Sequence, residues 1–258
     1  MFCTLAGYRW LNSGSLLRRL SQRAVRRLPT APLCHLHNGA TESTASNGAL
    51  RIVDEKVAYR RYATVFERTV QYPDGRHVTY DILGQPAVQS ASVLVFPFDT
   101  QSKTCYVIRE YCPGPNRVLY GFPAGMVETK HESMEAAARA ELSEEAHLRC
   151  AQLIDLTAQA AVWERSFEVP NTASDAENCL RGFFADKYSR NVCKMYLALN
   201  PEPDGHPGSM DAEELIEQVG AVRVPQLEAW LWSGQMTMPH MLLAMCALTY
   251  LRQHGMLT

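Results

Sequence analysis

Apolar and polar positions alternate loosely from Tyr59 to Tyr72 and again from His77 to Leu83. Pro73-Asp74-Gly75 between them is turn chemistry, so the two segments predict a β-hairpin. The pattern then changes. Ala91–Phe96 (ASVLVF) is continuously apolar, as in a strand buried on both faces, and Thr104–Arg109 (TCYVIR) predicts another. A loop with Pro113, Gly114 and Pro115 leads to a further strand at Val118–Pro123. From Ser133 to Leu148 alanine, glutamate and leucine dominate, which predicts a helix. Residues 157–188 carry no readable period. Cys193–Leu199 predicts a strand, Asn200–Asp211 a Pro/Gly-rich loop, and Leu215–Val224 a last strand. A helix begins over Pro225–Trp232, Ser233-Gly234 break it, and Met238–Arg252 predicts an apolar C-terminal helix. Strands mixed with two or three helices over about 50–258 imply one α/β domain.

Charge divides the chain. Formal net charge is −2, yet the first acidic residue is Glu42. Ahead of it stand Arg9, Arg18, Arg19, Arg23, Arg26 and Arg27, which leaves 19 basic against 27 acidic residues downstream, a net −8. An arginine-rich, serine-bearing, acid-free segment with helically spaced Leu16, Leu17 and Leu20 is expected to be an organelle transit peptide over residues 1–41. Dense arginine and modest serine favour the mitochondrion over the plastid. The alternative is a basic arm that binds RNA or a membrane surface. Residues 42–58 are expected to be a linker and 59–258 the folded domain. No apolar run approaches the roughly 18 residues that span a bilayer. The acidic mature chain has no basic stripe of the kind that binds nucleic acid.

Eight cysteines occur, with no CxxC pair and no zinc-ligand spacing with the eight histidines. They are expected to be buried small hydrophobes or idle thiols. Phosphate loops of the P-loop or dinucleotide type are absent.

The chemistry concentrates in Gly125–Leu148, GMVETKHESMEAAARAELSEEAHL. Glu141, Glu144 and Glu145 fall at i, i+3 and i+4, which stacks three carboxylates on one helical face. Like charges at that spacing repel, and the negative end of the helix dipole adds to the penalty. A hard divalent cation reverses both, because Mg²⁺ takes oxygen ligands. A solvated acidic helix is the bland alternative. Ala138, Leu142 and Ala146 share the neighbouring face and suit packing on a sheet.

This stretch resembles the Nudix box, G-x5-E-x7-R-E-U-x-E-E-x-G-U with U aliphatic. Gly125 and Glu132 match its first glycine and first glutamate. Glu141, Leu142, Glu144, Glu145 and Leu148 match its later positions. Phe122-Pro123-Ala124-Gly125 is similar to the approach to the box in ADP-ribose and sugar-nucleotide pyrophosphatases, and Val107–Tyr111 to the strand and loop that carry an Arg-Gln-(Tyr/Phe)-Arg pattern in them. The departures are specific. Six residues, not five, separate Gly125 from Glu132. The family arginine falls on Ala140, beside Arg139. His147 replaces the glycine after the paired glutamates, and Gly121 stands where many of these enzymes have a glutamate.

The resemblance implies a Nudix-type α/β/α sandwich with a mixed sheet, N-terminal antiparallel strands and a C-terminal helix. It implies Mg²⁺- or Mn²⁺-dependent hydrolysis of nucleoside diphosphate sugars to a nucleoside monophosphate and a sugar phosphate. Glu141, Glu145 and the carbonyl of Ala124 would bind metal, with Glu144 an accessory ligand. Glu213 or Glu214 would be the general base, and Arg109 would contact a phosphate. Acids at 211–217 equally suit a helix cap, and a strand-end arginine equally suits a surface salt bridge. A homodimer is expected. Two other readings stand beside this one: a non-catalytic or RNA-directed subunit of a mitochondrial ribonucleoprotein, and cleavage of nucleoside triphosphates or RNA 5′-pyrophosphate. Trp230, Trp232, the Met236–Met245 cluster and His240 are expected to serve packing.

Overall fold

The computed structural model describes residues 50–86, 90–158, 182–210 and 214–257. The expected transit peptide, most of the unreadable 157–188 stretch, Asp211 and Glu213 lie outside them.

The chain begins with three antiparallel strands, β1 (Arg51–Arg60), β2 (Thr64–Gln71) and β3 (His77–Gly84). The hairpin closes at Pro73-Asp74-Gly75 as its turn residues dictate, with Gly75 at φ 84°. The start is earlier than expected. Residues 51–58, assigned above to a linker, form β1 and pair with β2 from Arg51↔Gln71 to Arg60↔Thr64. Every residue of β1 is exposed, and the strand is held by backbone pairing with β2 and by ion pairs such as Lys56–Glu67 at 2.7 Å.

Next come β4 (Ala91–Asp99), β5 (Thr104–Cys112), β6 (Arg117–Gly121) and β7 (Ala124–Met126). Helix α1 (Met134–Ala146) follows, then the short β8 (Leu148–Arg149), β9 (Gln152–Asp155) and β10 (Phe183–Phe184). The chain ends with β11 (Val192–Leu199), β12 (Glu202–Pro203), β13 (Ile216–Arg223), α2 (Val224–Leu231) and α3 (Met238–Gln253). The main sheet runs β10-β11-β4-β5-β13, with β6 on β5, β7 on β4 and β9 on β11. It is mixed, because β11 lies parallel to β4 and its other pairings are antiparallel.

Alternation along β4 and β11 sorts the core into two layers. Leu94, Phe96, Phe98, Cys193, Met195, Leu197 and Leu199 meet Leu227 and Leu231 of α2 and Leu243, Ala244 and Leu251 of α3. Ala91, Val93, Val95, Tyr196 and Ala198 face the other way and meet Ala137, Ala138 and Leu142 of α1. The result is the expected α/β/α sandwich with a mixed sheet and a closing C-terminal helix. Among the described residues no helix is long and apolar enough to cross a membrane. Cys105 and Cys193 are buried, and Cys112, Cys150 and Cys246 are free and partly buried.

Two packing expectations change. Trp232 is the C-cap of α2 and is 85% exposed, because the helix ends before its side chain turns inward. Met236 is in the core, while Met238 and Met245 of α3 stay exposed on its outer side.

Helix α1 is capped at both ends. The Ser133 hydroxyl accepts from the Ala136 amide at 3.0 Å. At the other end His147 adopts the left-handed conformation, φ 53° and ψ 38°, and its N–H closes on Leu142 and Ser143. A glycine adopts that conformation freely, whereas histidine carries a steric penalty of about 1 kcal/mol. His147→Gly is therefore expected to stabilise the domain by about that amount, read as a higher urea midpoint with an unchanged slope.

Candidate active site

Helix α1 lies on the sheet through its apolar stripe, and that seat carries acidic side chains inward with it. Glu141 is 8% and Glu145 2% exposed, whereas Glu144 on the flank is half-buried and Glu132 is exposed. The solvated-helix alternative is excluded for the first two. The Glu141 carboxylate lies against Gly125 of β7, so closely that a Cβ there would collide with it. Glu145 accepts a hydrogen bond from the Ala124 amide at 2.8 Å. The short β7 pairs with β4 through Ala124↔Leu94 and Gly125↔Val93. The turn Pro123-Ala124-Gly125 thus offers one N–H to one carboxylate and an absent side chain to the other.

Burial, with the charges of Glu141, Glu110 and Glu214 and against the Ala124 hydrogen bond, pushes the Glu145 carboxyl up to about 9. Glu110 is also raised, first by burial and then by Glu214. Glu110 and Arg109 are adjacent on β5, so they point to opposite faces of the sheet. The arrangement therefore places Glu141, Glu110 and Glu214 within electrostatic reach of Glu145. Glu110 was passed over in the sequence, although its place two residues after buried Ile108 put a carboxylate on an apolar face.

Arg109 makes an ion pair with Glu217 at 3.2 Å, and its guanidinium stands 5.8 Å from the centre of the Tyr120 ring. Tyr120 in turn stacks on Trp230 at 3.9 Å. Arg109 is thus in the salt bridge weighed above, on the face away from Glu110. Arg139 does not reach inward. It binds Glu135 at 2.9 Å and the Cys150 carbonyl at 2.7 Å, and so ties α1 to the strand that follows it.

Below the turn, the Phe122 amide donates to Nδ1 of His240 at 3.1 Å. The ring of His240 rests on Gly121, where a Cβ would meet it at 3.2 Å. The glycine that departs from the relatives' glutamate therefore makes room for a strut from α3. That bond fixes the neutral tautomer, and desolvation lowers the His240 pKa to about 4.

These residues fit a hard divalent cation. The donors are carboxylate oxygens, and gathering them is a cost that a bound cation would offset. Among the described residues no three acidic, histidine or cysteine side chains are gathered closely enough to enclose an ion by themselves. Mg²⁺ is ordinarily held that way, by one or two carboxylates with waters and substrate phosphates completing the shell. A cavity of about 410 Å³ lined by Lys103, Arg223, Glu228 and Arg252 lies on the opposite, α2–α3 face.

Residues 88–215 match the family model described as NUDIX domain. Comparison with curated proteins finds no significant match. Among solved structures, that of an ADP compounds hydrolase superposes with a TM-score of 0.63 at 18% identity, covering 83% of this chain and 100% of that one. At that identity the likeness is one of fold. Residues 88–215 therefore carry a NUDIX domain, which supports a hydrolase acting on phosphorus anhydrides.

The His240 strut makes stability depend on pH. The folded state refuses a proton that the unfolded chain accepts between pH 6.5 and about 4. The contribution is therefore complete above pH 6.5 and declines as pH falls through that window. Relative to a His240→Gln variant, which keeps an acceptor but does not titrate, the wild type is expected to lose urea stability steadily from pH 6.5 to 4.

Proposed function

We propose, on the premise of a NUDIX domain, that this chain hydrolyses the pyrophosphate bond of nucleoside diphosphate sugars such as ADP-ribose or ADP-glucose with Mg²⁺ or Mn²⁺. The products are a nucleoside monophosphate and a sugar phosphate. One observation carries the reading: two carboxylates, Glu141 and Glu145, are buried side by side on the glycine-bearing turn that opens the box. A structural surface helix gains nothing from burying them, while a metal-dependent hydrolase needs them there.

In this reading Glu141 and Glu145 hold the metal, with Glu144 as an accessory ligand and the Ala124 carbonyl as a further donor. When bound, the cation would supply charge to neutralise the pyrophosphate and to acidify a water for attack. The chain's own part is positional and electrostatic. Ala124 N–H orients one Glu145 oxygen, and Gly125 leaves room for the Glu141 carboxylate. Glu214 supplies the proton acceptor for water, with Glu213 its neighbour in the same acidic run. Its nearness to Glu145 and Glu110 favours Glu214 over Glu213. Arg109, paired with Glu217 on the other face of the sheet, keeps its structural ion pair in this reading.

The uncovered apolar side chains of β1, among them Ile52, Val57 and Tyr59, support a homodimer through the N-terminal sheet. The arginine-rich N-terminus supports a mitochondrial location. The ADP compounds hydrolase fold supports a nucleotide substrate with a second moiety beyond its diphosphate.

The test is hydrolysis of ADP-ribose, ADP-glucose and UDP-glucose with Mg²⁺. Release of the nucleoside monophosphate is expected, and Glu145→Gln is expected to lower kcat at least about a hundredfold. No turnover of any of the three by folded wild type sinks the assignment.

A further inference from the structure

The loop between β11 and β13 was read in the sequence only as a Pro/Gly-rich connection, yet it is bound tightly to the acidic helix. Its first residues pair in β12 with β8, through Glu202↔Arg149 and Pro203↔Leu148. The Asp204 amide then donates to the His147 carbonyl at 2.9 Å, at the C-terminal end of α1. Ser143, inside the Glu141–Glu145 run, donates its hydroxyl proton to Asp204 Oδ2 at 2.7 Å. The same Ser143 oxygen accepts the Gly208 amide at 3.1 Å. Asp204 Oδ1 takes the His206 amide at 3.0 Å, which closes the turn between the two anchor points.

This clasp brings the Gly208 backbone onto the side chain of Glu144. A Cβ at Gly208 would collide with Glu144 Cγ and stand 3.0 Å from its Oε1. Successive helical residues turn by about 100°, so Glu144 lies roughly 60° round α1 from Glu141, on its flank. Ser143 faces further outward, where the loop crosses. The stem of Glu144 is therefore confined between the Glu141 flank of the helix and a loop that only glycine lets this close. A glutamate has three side-chain torsions, and confining its stem removes most of their freedom.

We propose that Gly208, held in place by Ser143 and Asp204, is a positioning residue that fixes the direction of the Glu144 carboxylate for divalent-cation binding. The proposal rests on the metal-dependent reading above and assigns a task to a loop outside the box. Glycine at position 208 is required by contact with a side chain, not by backbone geometry, because its φ is not in the left-handed region.

The experiment measures Mn²⁺ affinity by electron paramagnetic resonance on the full chain without substrate, beside the Mg²⁺ dependence of turnover. Gly208→Ala is expected to weaken Mn²⁺ binding about tenfold, as loss of an outer-shell support does. The Mg²⁺ concentration for half-maximal turnover should rise by the same factor while KM for the nucleotide substrate barely moves. Glu144→Gln should give a similar loss, and the Gly208→Ala/Glu144→Gln double variant should be no worse than Glu144→Gln alone. A loop that matters only to stability would lower the melting temperature and leave metal affinity unchanged. Ser143→Ala, which frees the loop without adding an atom, should weaken Mn²⁺ binding in the same direction, and Ser143→Thr should restore it. Wild-type Mn²⁺ affinity in Gly208→Ala and Ser143→Ala, or multiplying losses in the double variant, overturns the proposal. A wild type that binds Mn²⁺ but cleaves none of the three sugar nucleotides overturns the substrate assignment instead and leaves the positioning result standing.

Discussion

Two carboxylates leave water where α1 meets β7, and the desolvation of Glu145, at 2% exposure, is the constraint on which the site is built. The Ala124 amide gives Glu145 one hydrogen bond, which is far less than bulk water gives an ionised carboxylate. Burial therefore holds its proton up to about pH 9. The rest of the local structure follows from keeping this unfavourable arrangement in place. Ala137, Ala138 and Leu142 glue the helix to Val93 and Val95 of the sheet. Gly125 must be a glycine because the Glu141 carboxylate occupies the space of its side chain. Ser133 and His147 hold the two ends of the helix so that its last turn does not fray under the repulsion.

The two faces of the sheet divide the work. The α2–α3 face holds the larger aromatic and aliphatic layer, with Phe96, Phe98 and Phe122 fully buried against α3. The α1 face has a smaller layer of alanines and valines, and the acidic cluster lies on that side. Single side chains link the two. His240 reaches from α3 to the amide of Phe122, directly before the turn that meets Glu145. Packing on one face thereby sets backbone geometry on the other.

Much of this was legible in the sequence. The apolar run at Ala91 and the alternation at Cys193 mark β4 and β11, because a strand buried on both faces leaves a continuous apolar signature. The alanine-, glutamate- and leucine-rich composition located α1 to within two residues at either end. The miss at β1 has a plain cause: a strand exposed on both faces has no hydrophobic period to read. The two- to four-residue strands β8, β9, β10 and β12 are defined by distant partners, not by propensity. Glu110 acquires meaning only when β13 brings Glu214 beside it, and the link from Ser143 to Asp204 joins residues 61 apart with no local pattern at all.

The pairing of β4 with β11 bears on how the chain emerges during synthesis. Ala91 is matched with Val192 and Phe98 with Leu199, so the long side of the central strand waits for a partner made about a hundred residues later. Until then Val93, Val95 and Phe96 have the antiparallel turn at β7 and the end of β5 for company, and an open edge on the other side. At ordinary elongation rates that interval lasts on the order of 5–20 s. The nascent chain therefore passes through a period in which this apolar strand has an unpaired edge, until its parallel partner is made.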